Sequence, residues 1–126
     1  MKVIRITRHP AVDGRIEALK KAFSEETEVI DDDVPYGDDP VKTVQGLIEK
    51  YGGNVIAIEV VAPVPVLARL TQAKRELGTL KILRAEFVRE EGGRAKVVRL
   101  DSHGREIFAF SHYDVIKRAE VVLEPL

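Results

Sequence analysis

A basic pair, Arg8 and His9, directly follows the first short apolar run of the chain. Arginine offers two parallel donors to a phosphate or carboxylate, and a helix that begins soon afterwards adds backbone N–H groups. We therefore predict an anion-binding site at Arg8 and His9. The alternative is that Arg8 forms an ion pair with acidic residues at the end of a neighbouring strand.

Acidic residues are concentrated after the second apolar run, at Asp31 to Asp33 and again at Asp38 and Asp39. Carboxylate oxygens are the ligands that Mg²⁺ and Ca²⁺ prefer, but the spacing of a calcium-binding loop is absent and consecutive aspartates point in different directions. We therefore expect a solvated acidic loop and no metal site. Asp32 and Asp33 are candidates for the wall of a polar cleft.

His112 lies near the end of a strongly apolar segment, Glu106 to Tyr113. Imidazole changes charge close to neutral pH, so His112 could shuttle a proton or bind a ligand in the same cleft as Asp32 and Asp33. The alternative is a hydrogen-bonded histidine at a sheet edge. His103 lies in a glycine-containing turn, where we expect it to face solvent.

Two short segments resemble the histidine phosphatase family. Ile6 to His9 is similar to the strand-end Arg-His of that family, and Ala109 to His112 is similar to its late strand that ends in histidine. The resemblance implies that His9 accepts a phosphoryl group and that His112 assists. Pro10 stands where the family has glycine.

Other catalytic and cofactor signatures are absent. The turn from Arg8 to Gly14 contains one glycine, so it matches neither the dinucleotide fingerprint nor a phosphate-binding P-loop. No Gly-x-Ser-x-Gly motif is present, and the chain has no cysteine for a thiolate metal site, a disulfide or a nucleophile. We expect no cofactor, and the sequence leaves open whether the protein is an enzyme.

The first half of the chain alternates strand and helix patterns. Apolar runs at Val3 to Ile6, Glu28 to Ile30 and Asn54 to Val61 are typical of strands, and the last is apolar enough to be buried on both faces. Helical patterns lie between them, one capped by Asp39 with Pro40 in its first turn, and a third helix follows Pro65 and stops at Gly78. We predict three parallel strands side by side, whose far ends share a pocket.

The second half is strand-rich. We predict strands at Leu80 to Arg89, Ala95 to Leu100 and Glu106 to Tyr113, then a turn or short helix at Asp114 to Arg118 and a last strand at Ala119 to Glu124. The expected fold is one α/β domain over residues 1–126, with a three-helix βαβαβα parallel core. A C-terminal antiparallel β-meander extends this core into a mixed sheet, Rossmann-like, in two or three layers.

Composition narrows the function classes. The 126 residues carry a net charge of −1, and the longest apolar stretch, Val60 to Ala68, is too short to span a bilayer. The absence of an apolar leader predicts a cytoplasmic protein, and the scarcity of asparagine, glutamine and methionine is thermophile-like. The basic residues of the second half include Arg84, Arg89, Arg94, Lys96 and Arg99. We expect most of them to lie on an exposed strand face and to pair with Glu86, Glu90 and Glu91, which argues against nucleic-acid binding.

Three functions fit these observations. The first, which we favour, is a non-catalytic binding or self-assembling module that forms a homodimer through a sheet edge. The second is a small enzyme or binder for a phosphorylated or otherwise anionic metabolite, held by Arg8 and His9. The third is nucleic-acid binding through the basic second half.

Overall fold

The strands and helices alternate in the first half of the chain, as the sequence predicts. The structure is a computed structural model, and it describes residues 1–7 and 14–125. The strands of these ranges are β1 (Lys2–Ile6), β2 (Glu28–Asp32), β3 (Val55–Val60), β4 (Lys81–Phe87), β5 (Val97–Leu100), β6 (Glu106–Phe108) and β7 (Phe110–Val115). The helices are α1 (Arg15–Ala22), α2 (Pro40–Lys50), α3 (Val64–Gln72) and α4 (Lys74–Leu77). No helix in the described ranges is long and apolar enough to cross a membrane.

Five strands form a mixed sheet in the order β2-β1-β3-β4-β7. The first four are parallel and β7 is antiparallel to β4. The prediction that the first three strands run side by side in one direction is confirmed, because Ile4 of β1 is in register with Ile30 of β2 and Ile58 of β3. The strand order reverses between β1 and β3, and in open α/β sheets the crevice at such a point is where ligands bind.

Local signals place the helices as predicted. The Asp39 side chain accepts a hydrogen bond from the Lys42 backbone N–H at 3.2 Å, and Pro40 occupies the first turn of α2. The third predicted helix is divided at Ala73 into α3 and α4. It ends at Gly78, whose φ of +61° favours glycine.

The helices cover the sheet on both faces, so the fold has three layers. Side chains alternate between the faces of a strand, and even-numbered positions of β1, β3 and β4 pack against α2 and α3 in one aliphatic core. Its buried members are Ile4, Ile6, Val41, Val44, Leu47, Ile58, Val60, Leu70, Ala73 and Ile82. The opposite face is covered by α1, where a smaller cluster contains Val3, Leu19, Ala57 and Leu83.

The second half departs from the predicted meander. β5 and β6 form a separate two-stranded sheet, and only β7 joins the main one. The predicted strand from Glu106 to Tyr113 is divided at Ala109, because the chain changes its partner there. The Ala109 N–H donates to Lys96 O, and Ala109 O accepts from the Val88 N–H, both at 2.8 Å.

The chain that follows β7 also differs from the prediction. Asp114 and Val115 continue β7, and residues 116–125 contain neither helix nor strand. The predicted strand over Ala119 to Glu124 is therefore wrong for the single chain, since no strand of the described residues pairs with it.

Candidate functional site

The ends of the first three strands surround a cavity of about 260 Å³, which we call the strand-end cavity. Its lining comes from the residues that follow or end β1, β2 and β3: Ile6, Thr7, Asp33, Val34, Pro35, Tyr36 and Val61. Burial raises the pKa of Tyr36 to about 12, against a smaller opposing effect of the Val61 backbone, so its phenol is protonated at neutral pH. This cavity occupies the point where the strand order reverses.

The predicted anion site itself lies outside the described residues. Arg8 and His9 belong to the segment 8–13, as does Asp13, the predicted cap of α1. Thr7, which precedes Arg8, lines the strand-end cavity. Anion binding by Arg8 and His9 stays a prediction.

The two aspartates predicted for a polar cleft have different surroundings. Asp32 accepts hydrogen bonds from the Tyr51 hydroxyl at 2.6 Å, the Lys50 ammonium at 3.0 Å and the Val34 backbone N–H at 3.0 Å. The bond from Tyr51 is the main cause that lowers the pKa of Asp32, so this carboxylate fastens the end of β2 to the end of α2. Asp33 is the aspartate that lines the strand-end cavity.

His112 lies at the other edge of the sheet. It is an exposed residue of β7, with its ring nitrogens 2.9 Å from Ser111 Oγ and 3.2 Å from Asp114 Oδ1. Because β2 and β7 are opposite edges of five strands, about 19 Å of sheet lies between them. The structure does not bring His112 together with Asp32 and Asp33. In the described ranges, no group of three or more histidine, aspartate or glutamate residues could hold a metal ion.

Polar side chains gather on the α1 face of the sheet around the buried Arg5, Arg15 and Glu59. We call this group the buried ionic cluster, and it consists of Arg5, Arg15, Asp31, Glu59 and Tyr113. Arg5 Nε donates to Glu59 Oε1 at 3.1 Å, and Arg5 Nη1 donates to Asp31 Oδ1 at 2.7 Å. Arg15 Nη2 lies 3.3 Å from Glu59 Oε2. The Tyr113 hydroxyl also donates to Glu59 Oε1.

Positive charge exceeds buried negative charge in this cluster. The side chains of Arg5 and Glu59 are 0% exposed, whereas Asp31 is 56% exposed. Burial by itself lowers the pKa of Arg5, but the carboxylates of Glu59 and Asp31 together raise it above its ordinary value, so the guanidinium stays charged. Burial also raises the pKa of Tyr113, which keeps its hydroxyl a donor. One buried carboxylate therefore serves two guanidinium groups and a phenol.

Two buried nitrogen atoms of this cluster have no hydrogen-bond partner among the described residues. They are Arg5 Nη2 and Arg15 Nε. A buried donor without an acceptor costs about 1–3 kcal/mol, and more when the group is charged. Near the carboxyl ends of the strands, two buried donor atoms are therefore left without an acceptor from the described residues.

Sequence reasoning missed the buried ionic cluster, although a signal was present. Arg5 and Glu59 interrupt the apolar runs Val3 to Ile6 and Val55 to Val60, and each stands one residue before the last apolar residue of its strand. In the sheet, Arg5 is in register with Asp31 on one side and Glu59 on the other. Opposite charges at matched positions of adjacent buried strands predict an internal ion pair.

A second cavity, of about 440 Å³, reaches the buried ionic cluster at Arg15, and we call it the Arg15 cavity. Most of its lining is apolar, and it comes from the end of β3, the start of α3, and strands β4 and β6. The lining residues are Arg15, Val60, Val61, Ala62, Val64, Leu67, Arg84, Ala85, Phe87, Glu106, Ile107, Phe108 and Ile116. Its polar groups are thus two arginines and one glutamate.

An exposed apolar surface lies in the second half of the chain. In the last described segment, residues 119–125, Val122 and Leu123 are each 85% exposed. All four residues of β5 are exposed as well, including Val98 and Leu100. β5 pairs with β6 along one edge, and no strand in residues 1–7 and 14–125 runs along the other edge of β5.

Comparisons with protein-family models, with curated proteins and with solved structures find no match for this chain. Its function is therefore inferred from its own contacts, burial and charges.

Proposed function

We propose that this protein is a non-catalytic, self-assembling module in which residues 119–125 of one copy pair with β5 of a second copy. The observation that carries this proposal is the exposure of three consecutive large apolar side chains, Val121 to Leu123. Contiguous exposed apolar surface of this kind marks interaction sites. The same segment has the apolar and β-branched content of a strand, and no strand of the described residues pairs with it.

β5 offers what such a segment lacks. An open strand edge presents unpaired backbone donors and acceptors, and an added strand satisfies them while its side chains cover the neighbouring face. Val98 and Leu100 are exposed on β5, so a second copy that pairs there would bury apolar side chains from both partners. Reciprocal pairing, with each copy giving its segment and receiving the other, closes a two-fold dimer and leaves no free binding site.

Charge complementarity selects β5 as the partner. The segment Arg94 to Leu100 contains three basic residues and no acid, whereas Glu120 to Glu124 contains two acids and no basic residue. Complementary charges steer association and fix the register of an added strand. An acidic strand edge would instead repel the acidic segment Glu120 to Glu124.

Sedimentation velocity across the micromolar range tests the assembly. We expect a concentration-dependent dimer, and we expect the double variant Val122→Asp/Leu123→Asp to sediment as a monomer because charged side chains would have to be buried at the interface. Val115→Asp is the matched control: it adds an acid at an exposed valine of β7. If Val115→Asp abolishes the dimer and the double variant does not, β7 is the interface and pairing with β5 is excluded. A protein that is monomeric throughout would overturn the proposal.

Charge reversal gives a sharper test. Glu120→Lys/Glu124→Lys makes the segment basic, and Arg94→Glu/Lys96→Glu makes the β5 region acidic. Each double variant alone should dimerise more weakly than the unaltered protein, because like charges then face each other. A mixture of the two should restore dimers that contain one copy of each, since both pairings are again complementary. Failure of the mixture to associate would contradict pairing between these two segments.

A further inference from the structure

We propose that the Arg15 cavity binds a small organic carboxylate with an apolar body, with the carboxylate held by Arg15 and Arg84 and the body against the aliphatic and aromatic wall. This inference is independent of self-assembly. The observations that carry it are the volume and lining of the cavity and a buried arginine nitrogen that has no acceptor among the described residues.

The walls suit an apolar ligand body. A volume of about 440 Å³ falls within the roughly 300–1,000 Å³ that is usual for small-molecule sites. Val60 of β3, Leu67 of α3, Phe108 of β6 and Ile116, which follows β7, face this one space. Such sites are mostly apolar, with a few polar groups that orient the ligand.

Arg15 supplies the polar end of the site. Its side chain is 4% exposed, and its guanidinium stacks over the Phe87 ring at 5.2 Å from the ring centroid. Phe87 also lines the cavity, so the aromatic ring fixes the guanidinium beside it. Arg15 Nη2 contacts Glu59, whereas Arg15 Nε is buried without a hydrogen-bond acceptor among the described residues. A ligand carboxylate would provide Arg15 Nε with the acceptor that no described residue supplies.

The charges around the cavity favour a monoanion. The Glu59 carboxylate is not available to Arg15 alone, because it also accepts hydrogen bonds from Arg5 and Tyr113. Arg84 lines the same cavity and also forms an ion pair with Glu86, with 2.8 Å between Arg84 Nε and Glu86 Oε1. Glu106 stands in the wall and would repel a second negative charge. A carboxylate therefore fits better than a phosphate monoester, which carries nearly two charges at neutral pH.

Isothermal titration calorimetry with three eight-carbon compounds tests the class of ligand. We expect octanoate to bind and to raise the melting temperature, and neutral octanamide to do neither, since it lacks the charge that Arg15 and Arg84 recognise. Octyl phosphate should bind more weakly than octanoate. Equal binding of octanoate and octanamide, tighter binding of octyl phosphate, or no heat with millimolar octanoate would overturn the proposal.

Variants locate the binding site. Arg84→Gln should weaken octanoate binding by roughly tenfold or more, since it removes a charge-assisted hydrogen bond. Arg75→Gln, on the exposed helix α4, is the matched control and should bind octanoate as the unaltered protein does. Arg84 is half exposed, so we expect Arg84→Gln to fold.

A steric variant separates the apolar wall from the charges. Val64→Trp places a large ring at a half-exposed position of the lining and should abolish octanoate binding without lowering the melting temperature. Full octanoate affinity in Val64→Trp would exclude this cavity. The same titration with Val122→Asp/Leu123→Asp should give unchanged affinity, so failure of one proposal is distinguishable from failure of the other.

Discussion

The two faces of the central sheet are built from opposite chemistries. On the α2 and α3 face, Ile4, Ile58 and Ile82 of adjacent strands pack into one aliphatic core. On the α1 face, one position further along β1 and β3, Arg5 and Glu59 are buried just as completely. The polar contact of Asp32 on the aliphatic side lies at the rim, beside the exposed Lys50, whereas the ionic contacts of the α1 face lie at the centre of the sheet.

The difference separates what stabilises the fold from what equips it for binding. Aliphatic burial contributes directly to stability, at about 25 cal/mol per Å² of apolar surface. A buried ion pair contributes little net stability, because the cost of desolvating two charges offsets their attraction. The α2 and α3 face, which we call the aliphatic face, therefore stabilises the sheet. The α1 face, which we call the ionic face, presents fixed donors at the end of the sheet where both cavities open.

The largest effect is expected from breaking the ionic face at its centre. Glu59→Gln leaves two buried guanidinium groups without their shared carboxylate, and it should lower the free energy of unfolding by about 3–5 kcal/mol. Ile58→Val, at the adjacent and equally buried position on the aliphatic face, should cost only about 0.5–1.5 kcal/mol. Urea unfolding at neutral pH measures both. An effect of Glu59→Gln below that of Ile58→Val would contradict the contrast between the faces.

Removing the buried ionic cluster as a whole should have the opposite effect on the free energy of unfolding. The combined variant Arg5→Met, Arg15→Met, Glu59→Leu and Tyr113→Phe leaves no unpaired buried charge. Its free energy of unfolding should equal that of the unaltered protein or exceed it, by up to about 4 kcal/mol. It should nevertheless lose octanoate binding, which calorimetry detects. A large loss of stability would show that the ionic cluster stabilises the fold.

The same contrast explains what the sequence could predict. Patterns that are local in the chain predict the parallel strands, the Asp39 cap and the stop at Gly78, because alternation, caps and glycine conformations depend on neighbours in sequence. The buried ionic cluster depends on the register between strands that are distant in sequence. Arg5 and Glu59 each stand within an apolar run, and the sequence pattern predicts only a buried strand there. Likewise the break at Ala109 depends on a change of strand partner, which no local pattern reveals.

Of the residues predicted to form a site, Asp33 lines the strand-end cavity, whereas Asp32 is turned toward α2 and His112 lies at the far edge. The expectation that strand ends gather a site rests on topology alone, which the sequence pattern specifies. Which of two consecutive aspartates faces a cavity depends on the alternation of the strand end and on the position of Tyr51. That position follows from the packing of α2.

Asp32 gives a smaller effect with a defined dependence on pH. Its pKa in the folded protein is lowered, mainly by the Tyr51 hydroxyl, so its contribution to stability is present above about pH 4 and is lost as the pH falls through the lowered value. Asp32→Asn should cost about 1–2 kcal/mol at neutral pH and should flatten the acid limb of the stability curve. Tyr51→Phe, which keeps the carboxylate, should shift that limb to higher pH. An unchanged acid limb in both variants would show that other carboxyl groups determine it.

The smallest change in the free energy of unfolding at neutral pH is expected from a substitution of Tyr36. Tyr36 on the aliphatic face and Tyr113 on the ionic face give a matched comparison of the two faces. Tyr36 packs against the aliphatic core, so Tyr36→Phe should change the free energy of unfolding at pH 7 by well under about 1 kcal/mol. Tyr113→Phe removes a donor to the buried carboxylate of Glu59 and should cost about 1.5–3 kcal/mol. Because burial raises the pKa of Tyr36 to about 12, its neutral form stabilises the fold below about pH 10, and this contribution is lost as the pH rises from about 10 towards 12. Tyr36→Phe should therefore unfold less readily than the unaltered protein at pH 11, as thermal melts at pH 7 and pH 11 would measure. If both tyrosine variants lose equal stability at pH 7, the phenol of the aliphatic face is as strongly hydrogen-bonded as that of the ionic face, and the contrast between the faces fails at these two positions.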